Sequence, residues 1–495
     1  MTTKLRVLDD AVPPDLPHEE GHGDAPGALG TSDASAYRSS LEPRRVFVDT
    51  FGCQMNAHDS ERMVGLMAAE GYAPTEDPEI ADLIVLNSCS IREKAEHKLL
   101  SAAGSLKFIK EKRPDAVLAI AGCVAQQEGK SLLARAPHID IVFGPDHIAR
   151  LPELVREVQQ TRRRVSETEF LSRSEFAFPR LTDASSVPVS AYVSVMKGCD
   201  KFCTFCIVPF TRGREVSRDA ADILDEVQWL AARGSQEIVL LGQTVNAYGR
   251  QKRSGQVPFH ELLAQVAAIP GVRRVRFTSP HPSDFTDAQI LAFRDVPELC
   301  PHMHLPVQSG SDDVLARMRR GYTRAEYLAV VRRLREVAPS VSLTTDIIVG
   351  FPGETEKDFQ DTLSLVEEVR FQAAFCFAYS ERTGTRAVGL DGVVPFEERA
   401  RRLRILLERQ EQITGEWLSS MVGQRLEVLV EGPSKSDPAR STGRSGQNRP
   451  VHIDGSFLPG TMLEVEVVEA FRHSLRATPI AKTPMATSVA SSSAA

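Results

Sequence analysis

The stretch Lys197-Gly198-Cys199-Asp200-Lys201-Phe202-Cys203-Thr204-Phe205-Cys206 carries three cysteines in the order Cys-x3-Cys-x2-Cys. Thiolates bind soft metals and iron–sulfur clusters. A structural zinc site takes four ligands, commonly as two close pairs, and no second pair lies near this loop. Cys300 and Cys376 are single, and His302 and His304 flank only the first of them. A 4Fe–4S cluster is held by cysteine thiolates, and with three of them one iron keeps an open coordination position. A zinc loop completed by a remote fourth ligand is the competing reading.

An open iron can bind the amino and carboxylate groups of S-adenosylmethionine and pass one electron into its sulfonium. The loop resembles the radical S-adenosylmethionine signature. Phe202, just before the middle cysteine, could pack on such a cofactor.

A second trio, Cys53, Cys89 and Cys123, is dispersed in sequence. Each follows an apolar run that reads as a strand: Phe51-Gly52-Cys53, Asn87-Ser88-Cys89 and Ala121-Gly122-Cys123. Strand ends of an open parallel sheet share one edge, where ligands bind, so these thiols could converge. Gly52 and Gly122 suit tight turns beside a bulky ligand. The expected object is a second cluster with one iron lacking a protein ligand. The bland alternative is three buried small hydrophobic residues, common for free cysteine.

The elements that must position these thiols are legible along the chain. Its 495 residues exceed what one core serves, so two to four domains are expected. Residues 1–43 hold eight acids against three basic residues and show no periodicity, which reads as a disordered acidic tail. The overall charge of −7 therefore sits mostly in that tail, and local patches must decide nucleic-acid binding. Val46–Val48, Leu83–Leu86 and Ala116–Ala121 read as strands, with helices at Asp59–Glu70 and Arg92–Lys112 between them. This alternation predicts an N-terminal open, mostly parallel α/β sheet over 44–160. Polar residues 161–188 read as a linker. Six further strands are expected, at Ala191–Met196, Glu237–Leu241, Val272–Thr278, His302–Val307, Ser342–Val349 and Ala373–Tyr379. They predict a (βα) partial or complete barrel over 189–416, with its chemistry at the carboxyl ends. A long amphipathic helix, Phe396–Leu418, precedes a small all-β module over 417–481. There Leu426–Glu431, Pro450–Asp454 and Leu463–Val468 alternate with period two, as in five-stranded nucleic-acid-binding barrels. Residues 482–495 read as a second disordered tail. No apolar run approaches the ~20 residues of a membrane helix, and the N-terminus lacks a secretion-signal pattern. The expectation is a cytoplasmic protein without membrane contact, in which cysteines serve metals rather than disulfides.

From Arg44 to Arg476 the chain resembles the radical S-adenosylmethionine methylthiotransferases. The segments that carry the resemblance are TFGCQMNAHDS (50–60), AGCVAQQ (121–127), YVSVMKGCDKFCTFCIVPFTRGRE (192–215), LLGQTVNAYG (240–249), FTSPHP (277–282), HLPVQSGS (304–311) and TDIIVGFPGET (345–355). Ser88 stands where threonine is usual, and Lys197 where glutamate is usual. The resemblance implies an N-terminal methylthiotransferase domain, a radical core and a C-terminal TRAM domain. It implies a radical cluster on Cys199, Cys203 and Cys206 and an auxiliary cluster on Cys53, Cys89 and Cys123. It is closest to the branch that adds a methylthio group at carbon 2 of N6-isopentenyladenosine beside the tRNA anticodon. Related branches act on threonylcarbamoyl-adenosine in tRNA or on a ribosomal-protein aspartate. A non-catalytic, zinc-stabilised RNA-binding protein is the alternative from another class.

That chemistry implies two S-adenosylmethionine molecules per turnover, one cleaved to a radical and one donating methyl. It also implies reduced flavodoxin or ferredoxin as electron donor, and a monomer is expected. Gln243 and Asn246, after the second barrel strand, are candidates to grip the methionine part. Gln308, Ser309 and Asp346 could hold ribose or carboxylate, and Gly350 with Gly353 could admit the adenine. Ordinary loop and capping roles compete at each of these positions. Lys435, Arg440, Arg444 and Arg449 are expected in one Gly/Ser-rich loop, and Arg472 follows the last clear strand. These are the candidate contacts to the anticodon stem-loop. Arg162–Arg164 could assist.

Overall fold

The computed structural model describes residues 43–90, 93–172, 176, 178, 187–250, 255–435 and 437–480, and the side chains of 93–96 are not among the described ones. The expected acidic and Ser/Ala-rich tails lie outside these residues. The chain divides into two compact units, one spanning the residues up to 169 and one formed largely by 184 onward.

The first unit is a six-stranded sheet. Its strands are β1 (Arg44–Phe51), β2 (Tyr72–Pro74), β3 (Leu83–Ser88), β4 (Val117–Gly122), β5 (Ile141–Phe143) and β6 (Val165–Glu167). Their order is β2-β1-β3-β4-β5-β6, and every pairing is parallel. β3 and β4 are buried throughout, as strands covered by helices on both faces must be. Leu83, Val85, Val117 and Ala119 pack into the core on one face, and Ile84, Leu86, Leu118 and Ile120 into the core on the other. Three expectations need correction. The first helix begins at Gln54, directly after Cys53 as its N-cap, not at Asp59. The single helix expected over Arg92–Lys112 is, within the described residues 93–112, two helices, Glu93–Ser105 and Lys107–Lys112, interrupted at Leu106. Val165–Glu167, placed in a linker, is the sheet's edge strand β6, whose short length gives almost no periodicity to read.

The second unit contains the six expected barrel strands: β7 (Ser190–Ser194), β10 (Glu237–Leu241), β11 (Arg274–Phe277), β12 (His302–His304), β13 (Ser342–Val349) and β14 (Ala373–Ala378). All their pairings are parallel, in two three-stranded arcs. The arcs are joined at Val275, whose amide donates to Glu298 and whose carbonyl accepts from Cys300. A two-residue hairpin, β8 (Met196–Lys197) with β9 (Val216–Ser217), follows β7 and clamps the base of the cysteine loop.

Helix Phe396–Ser420 leads into a closed antiparallel and parallel barrel, β15 (Arg425–Pro433), β16 (Arg440–Ser445), β17 (Pro450–Asp454), β18 (Met462–Ala470) and β19 (Leu475–Pro479). Leu418 and Met421 at the helix end join the barrel core formed by Val428, Val451, Ile453, Val465 and Leu475. Arg440 and Arg444, expected in a loop, lie on β16. Gly and Ser dilute its alternation, while closure of the barrel supplies the pairing that the composition lacks.

The barrel docks on the amino ends of the core strands. Arg274 donates to the carbonyls of Arg444 and Glu427, and Arg276 to those of Gly446 and Ser445. Arg276 also pairs with Glu237 at 2.8 Å, both side chains being about 5% exposed or less. Removing one partner of such a pair leaves an uncompensated buried charge. Arg276→Ala should therefore lower unfolding stability by about 3–5 kcal/mol, read from the urea midpoint. Arg472→Ala, which breaks an exposed pair with Glu411, should leave that midpoint nearly unchanged.

Candidate metal centres

In the first unit, register assembles the thiols. Phe51 pairs with Ser88, and Ser88 with Gly122, so three strands end level. Cys53, Cys89 and Cys123 follow immediately, and the Cys89 amide donates to the Phe51 carbonyl at 2.8 Å. Both neighbouring thiols hydrogen-bond to Cys89: contact with Cys123, then with Cys53, together with burial, raises its pKa well above that of an ordinary thiol. The glycines have a stated task. A Cβ on Gly52 would lie 2.7 Å from the Cys89 Cβ, and one on Gly122, at φ +90°, would lie 2.4 Å from Asn87 Oδ1. Asn56 and Asn87 brace the edge: Asn56 Nδ2 donates to Asn87 Oδ1 at 3.1 Å, and Asn87 Nδ2 donates to the Asn56 carbonyl and Ser60 Oγ. Cys53 Sγ donates to Asn56 Oδ1 at 3.3 Å. The sixteen-residue helix that starts after Cys53 turns its amide end to the same place, which favours negative charge there.

In the second unit, the loop 198–206 leaves the β8–β9 hairpin at the carboxyl end of β7. Gly198, at φ +74°, packs so closely on Gly213 and Arg214 that a Cβ would stand 2.1 Å from the Arg214 carbonyl. Cys199 N donates to the Gly213 carbonyl, Cys199 Sγ lies 3.1 Å from Thr244 Oγ1, and the Lys201 amide reaches Cys199 Sγ at 3.5 Å. Thr204 N and Oγ1 bond to the carbonyls of Met318 and Arg317. Arg320 Nη1 donates to Cys203 Sγ at 3.4 Å. Burial raises the Cys199 thiol, and burial followed by the Cys203 charge pushes Cys206 up to about 12. Phe202 sits at φ +50°, unusual for a bulky side chain and typical of strain kept at working sites. Its ring packs edge-on against Phe210 and beneath Arg214.

The other candidates separate by what they touch. Gln243 Oε1 accepts from the Gly198 amide at the root of the loop, while its Nε2 is buried without a partner among the described residues. Asn246 is occupied internally: Nδ2 donates to the His281 carbonyl and Oδ1 accepts from the His281 amide. Ser309 Oγ lies 3.3 Å from Thr362 Oγ1 and accepts from the Ser311 amide. Gln308, at φ +75°, stitches onto β13 through its backbone, and Asp346 faces His304 at 3.4 Å. The room left by the missing Cβ of Gly350 is filled by the Arg399 stem, and that at Gly353 by the Arg317 guanidinium.

On the barrel, Arg440 pairs with Asp437 and Asp454, Arg444 with Glu431, and Arg472 with Glu411. Lys435 is exposed. Arg449 lies in the seam with the core, over the Trp417 ring and donating to the Gln372 carbonyl, and burial lowers it to about 10. Arg162 pairs with Asp115, and Arg164 donates to carbonyls of its own sheet unit. Thr244, Arg320, Asn56 and Asn87 were not singled out in the sequence. Asn56 lies three residues after Cys53, which is a readable signal. Arg320 is 117 residues from Cys203, and no spacing announces it.

Residues 45–144 match the Uncharacterized protein family UPF0004, 193–366 the Radical SAM superfamily, and 419–480 the TRAM domain. Over 436 residues the chain is 48% identical to the tRNA-2-methylthio-N(6)-dimethylallyladenosine synthase of Myxococcus xanthus, covering 87% of this chain and 93% of that one. The chain belongs to the tRNA-2-methylthio-N(6)-dimethylallyladenosine synthase family. The synthases of an Anaeromyxobacter species (48% over 464 residues, 92% of this chain, 97% of that one) and Yersinia enterocolitica (46% over 436 residues, 88% and 92%) agree. Among solved structures, the radical S-adenosylmethionine methyltransferase TsrM from Kitasatospora setae, with cobalamin and a [4Fe-4S] cluster bound, matches with TM-score 0.52. Its identity is 14%, over 70% of this chain and 74% of that one, a likeness of fold alone. Among the described residues no helix is long and apolar enough to cross a membrane, and no three His, Cys, Asp or Glu side chains are placed to hold a single metal ion.

Cys300 and Cys376 lie outside both trios of this synthase-family chain, and burial pushes them up to about 11 and about 12. A thiol raised in the folded state keeps its proton. Its stabilising effect is complete below the unfolded value near ~8.5 and is lost as pH rises through the folded value. Native protein at pH 8 should leave both unalkylated by iodoacetamide, with Cys300 reacting only as pH approaches 11, scored by peptide mass spectrometry.

Proposed function

We propose that this chain converts N6-isopentenyladenosine beside the tRNA anticodon to its 2-methylthio derivative by radical sulfur insertion at adenine carbon 2. The observation that carries the reading is the extent of the likeness to the synthases, 48% identity over 93% of one relative, together with family matches over 45–144 and 193–366 that contain the two three-thiol sets.

The donor sets suit the groups the reading requires. Cys199, Cys203 and Cys206 would hold one 4Fe–4S cluster, and Cys53, Cys89 and Cys123 a second. Each place offers three soft ligands, backbone or side-chain donors, and shielding from water, which an anionic cluster needs. When bound, the two groups would supply one-electron cleavage of S-adenosylmethionine and the sulfur to be inserted. Two S-adenosylmethionine molecules per turnover then account for the radical and the methyl group.

The chain's own residues hold and orient. Gln243 fixes the Gly198 amide through Oε1, and its unpartnered Nε2 is a donor suited to the carboxylate of the methionine part. Burial lowers His281 to about 2, with help from Arg320 and Lys201, so the imidazole is neutral at working pH and is no proton donor. Asn246 holds the His281 backbone and, with Gln243, is proposed at the methionine part. Carbon 2 of adenine carries neither an acidic proton nor a leaving group, which is why a radical route is required. The small barrel, with Lys435, Arg440, Arg444 and Arg472 on or beside it, would meet the anticodon stem-loop through phosphate charge. The same reading takes reduced flavodoxin or ferredoxin as electron donor, a monomer as the working form, and the cytoplasm as its place.

Anaerobically prepared protein should be brown and bind roughly eight irons per chain, two clusters' worth; colourless protein containing zinc would sink the reading. Mass spectrometry of tRNA nucleosides from cells lacking the chain should show the methylthio group gone and the isopentenyl group kept. Cys123→Ala should abolish methylthio formation yet still cleave S-adenosylmethionine to 5′-deoxyadenosine, measured by chromatography. Surviving sulfur insertion would remove the auxiliary role.

A further inference from the structure

Among the described residues Arg320 is a buried cation with no carboxylate partner. The residue is 7% exposed, and its guanidinium donates three hydrogen bonds. Nε donates to the Tyr322 hydroxyl at 3.0 Å, Nη2 to the Pro306 carbonyl at 2.9 Å, and Nη1 to Cys203 Sγ at 3.4 Å. Other buried arginines of this unit differ: Arg276 faces Glu237, Arg218 faces Glu226 and Arg402 faces Glu354. The nearby cation Lys201 is matched by Asp284. A buried charge is tolerated when it is paired, and an unpaired one carries a large desolvation penalty.

The backbone is built to bring Arg320 there. It sits in a turn after helix Asp312–Arg317, flanked by Arg319 at φ +57° and Gly321 at φ +68°. Its amide is tied to the Leu315 carbonyl. The same turn grips the cysteine loop twice more, through Thr204. Tyr322, whose hydroxyl donates to the Val307 carbonyl at 2.7 Å, fixes the guanidinium from the other side.

We infer that Arg320 is the built-in counter-charge of the radical cluster, a positioning residue that acts through Cys203 Sγ to favour the cluster's reduced state. Reduction adds one electron to an already anionic group. A fixed cation donating to a ligand sulfur stabilises the more negative form and raises the midpoint potential. The inference rests on Cys203 being a ligand of that cluster, as proposed above.

The test is an EPR-monitored redox titration of anaerobically reconstituted full-length protein, following the signal that changes when S-adenosylmethionine is added. Arg320→Gln should shift that midpoint to more negative potential, and Arg320→Lys, which keeps the charge, should stay near the parent. Loss of loop iron in R320Q but not in R320K also supports the inference. Thermal denaturation adds a second readout. The Tm loss of R320Q should be larger in cluster-loaded than in metal-free protein, because only the loaded form contains the anion. An unchanged midpoint in loaded R320Q, equal Tm losses in both forms, or equal failure of both variants to load overturns it. Failure of the underlying ligand assignment looks different: the parent protein itself would then show no signal responsive to S-adenosylmethionine.

Discussion

The level ending of parallel strands is the constraint on which the first unit depends. Because β1, β3 and β4 pair in register at Phe51, Ser88 and Gly122, three residues scattered over seventy positions of chain meet at one edge. Side chains alternate faces along a strand, so a slip of one residue would exchange the sets packed into the two cores and misalign the three thiols. The two burial layers of β3 and β4 enforce that register. Gly52 and Gly122 then remove the Cβ atoms that would hold the strand ends apart. The core thus builds the site indirectly, by permitting one alignment only.

The second unit solves the same problem with a loop instead of a sheet edge. The loop holds Cys199, Cys203 and Cys206 within eight residues, so their proximity is local, and what must be supplied is their environment. Gly198 folds against Arg214, Thr244 reaches Cys199 from the end of β10, and the turn at 317–320 reaches Thr204 and Cys203. The two ends of the strand assembly are kept apart in task. Carboxyl ends carry the thiols, as in other barrels of parallel strands. Amino ends carry Arg274 and Arg276, whose donors satisfy carbonyls of β15, of the end of β16 and of Gly446 just beyond it, and seat the small barrel. Stability and chemistry therefore draw on different arginines.

Much of this was legible in the chain. Three runs in the first unit and six in the second are strands in the structure, and the clearest of them, Leu83–Ser88, Glu237–Leu241 and Ser342–Val349, are rich in apolar and β-branched residues. The cysteines were legible because thiol spacing is informative at short range and recurs after each strand. The edge strand at Val165–Glu167 was not, since three half-polar residues carry no period and gain their pairing only from β5. Nor was β16, where Gly443 and two serines replace the usual branched residues. The break at Leu106 is likewise invisible in a segment of continuous helical pattern.

Residue types and spacing determined the fold class, the two three-thiol sets and the kind of small barrel that ends the chain, since these follow from local periodicity and ligand chemistry. Tertiary structure decided the rest: that Asn246 braces His281, that Gly350 makes room for Arg399, that Arg449 lies in a seam, and that Arg320 arrives at Cys203. Those outcomes depend on contacts between residues tens to more than a hundred positions apart. Only burial and the demand that every enclosed polar group find a partner select among them.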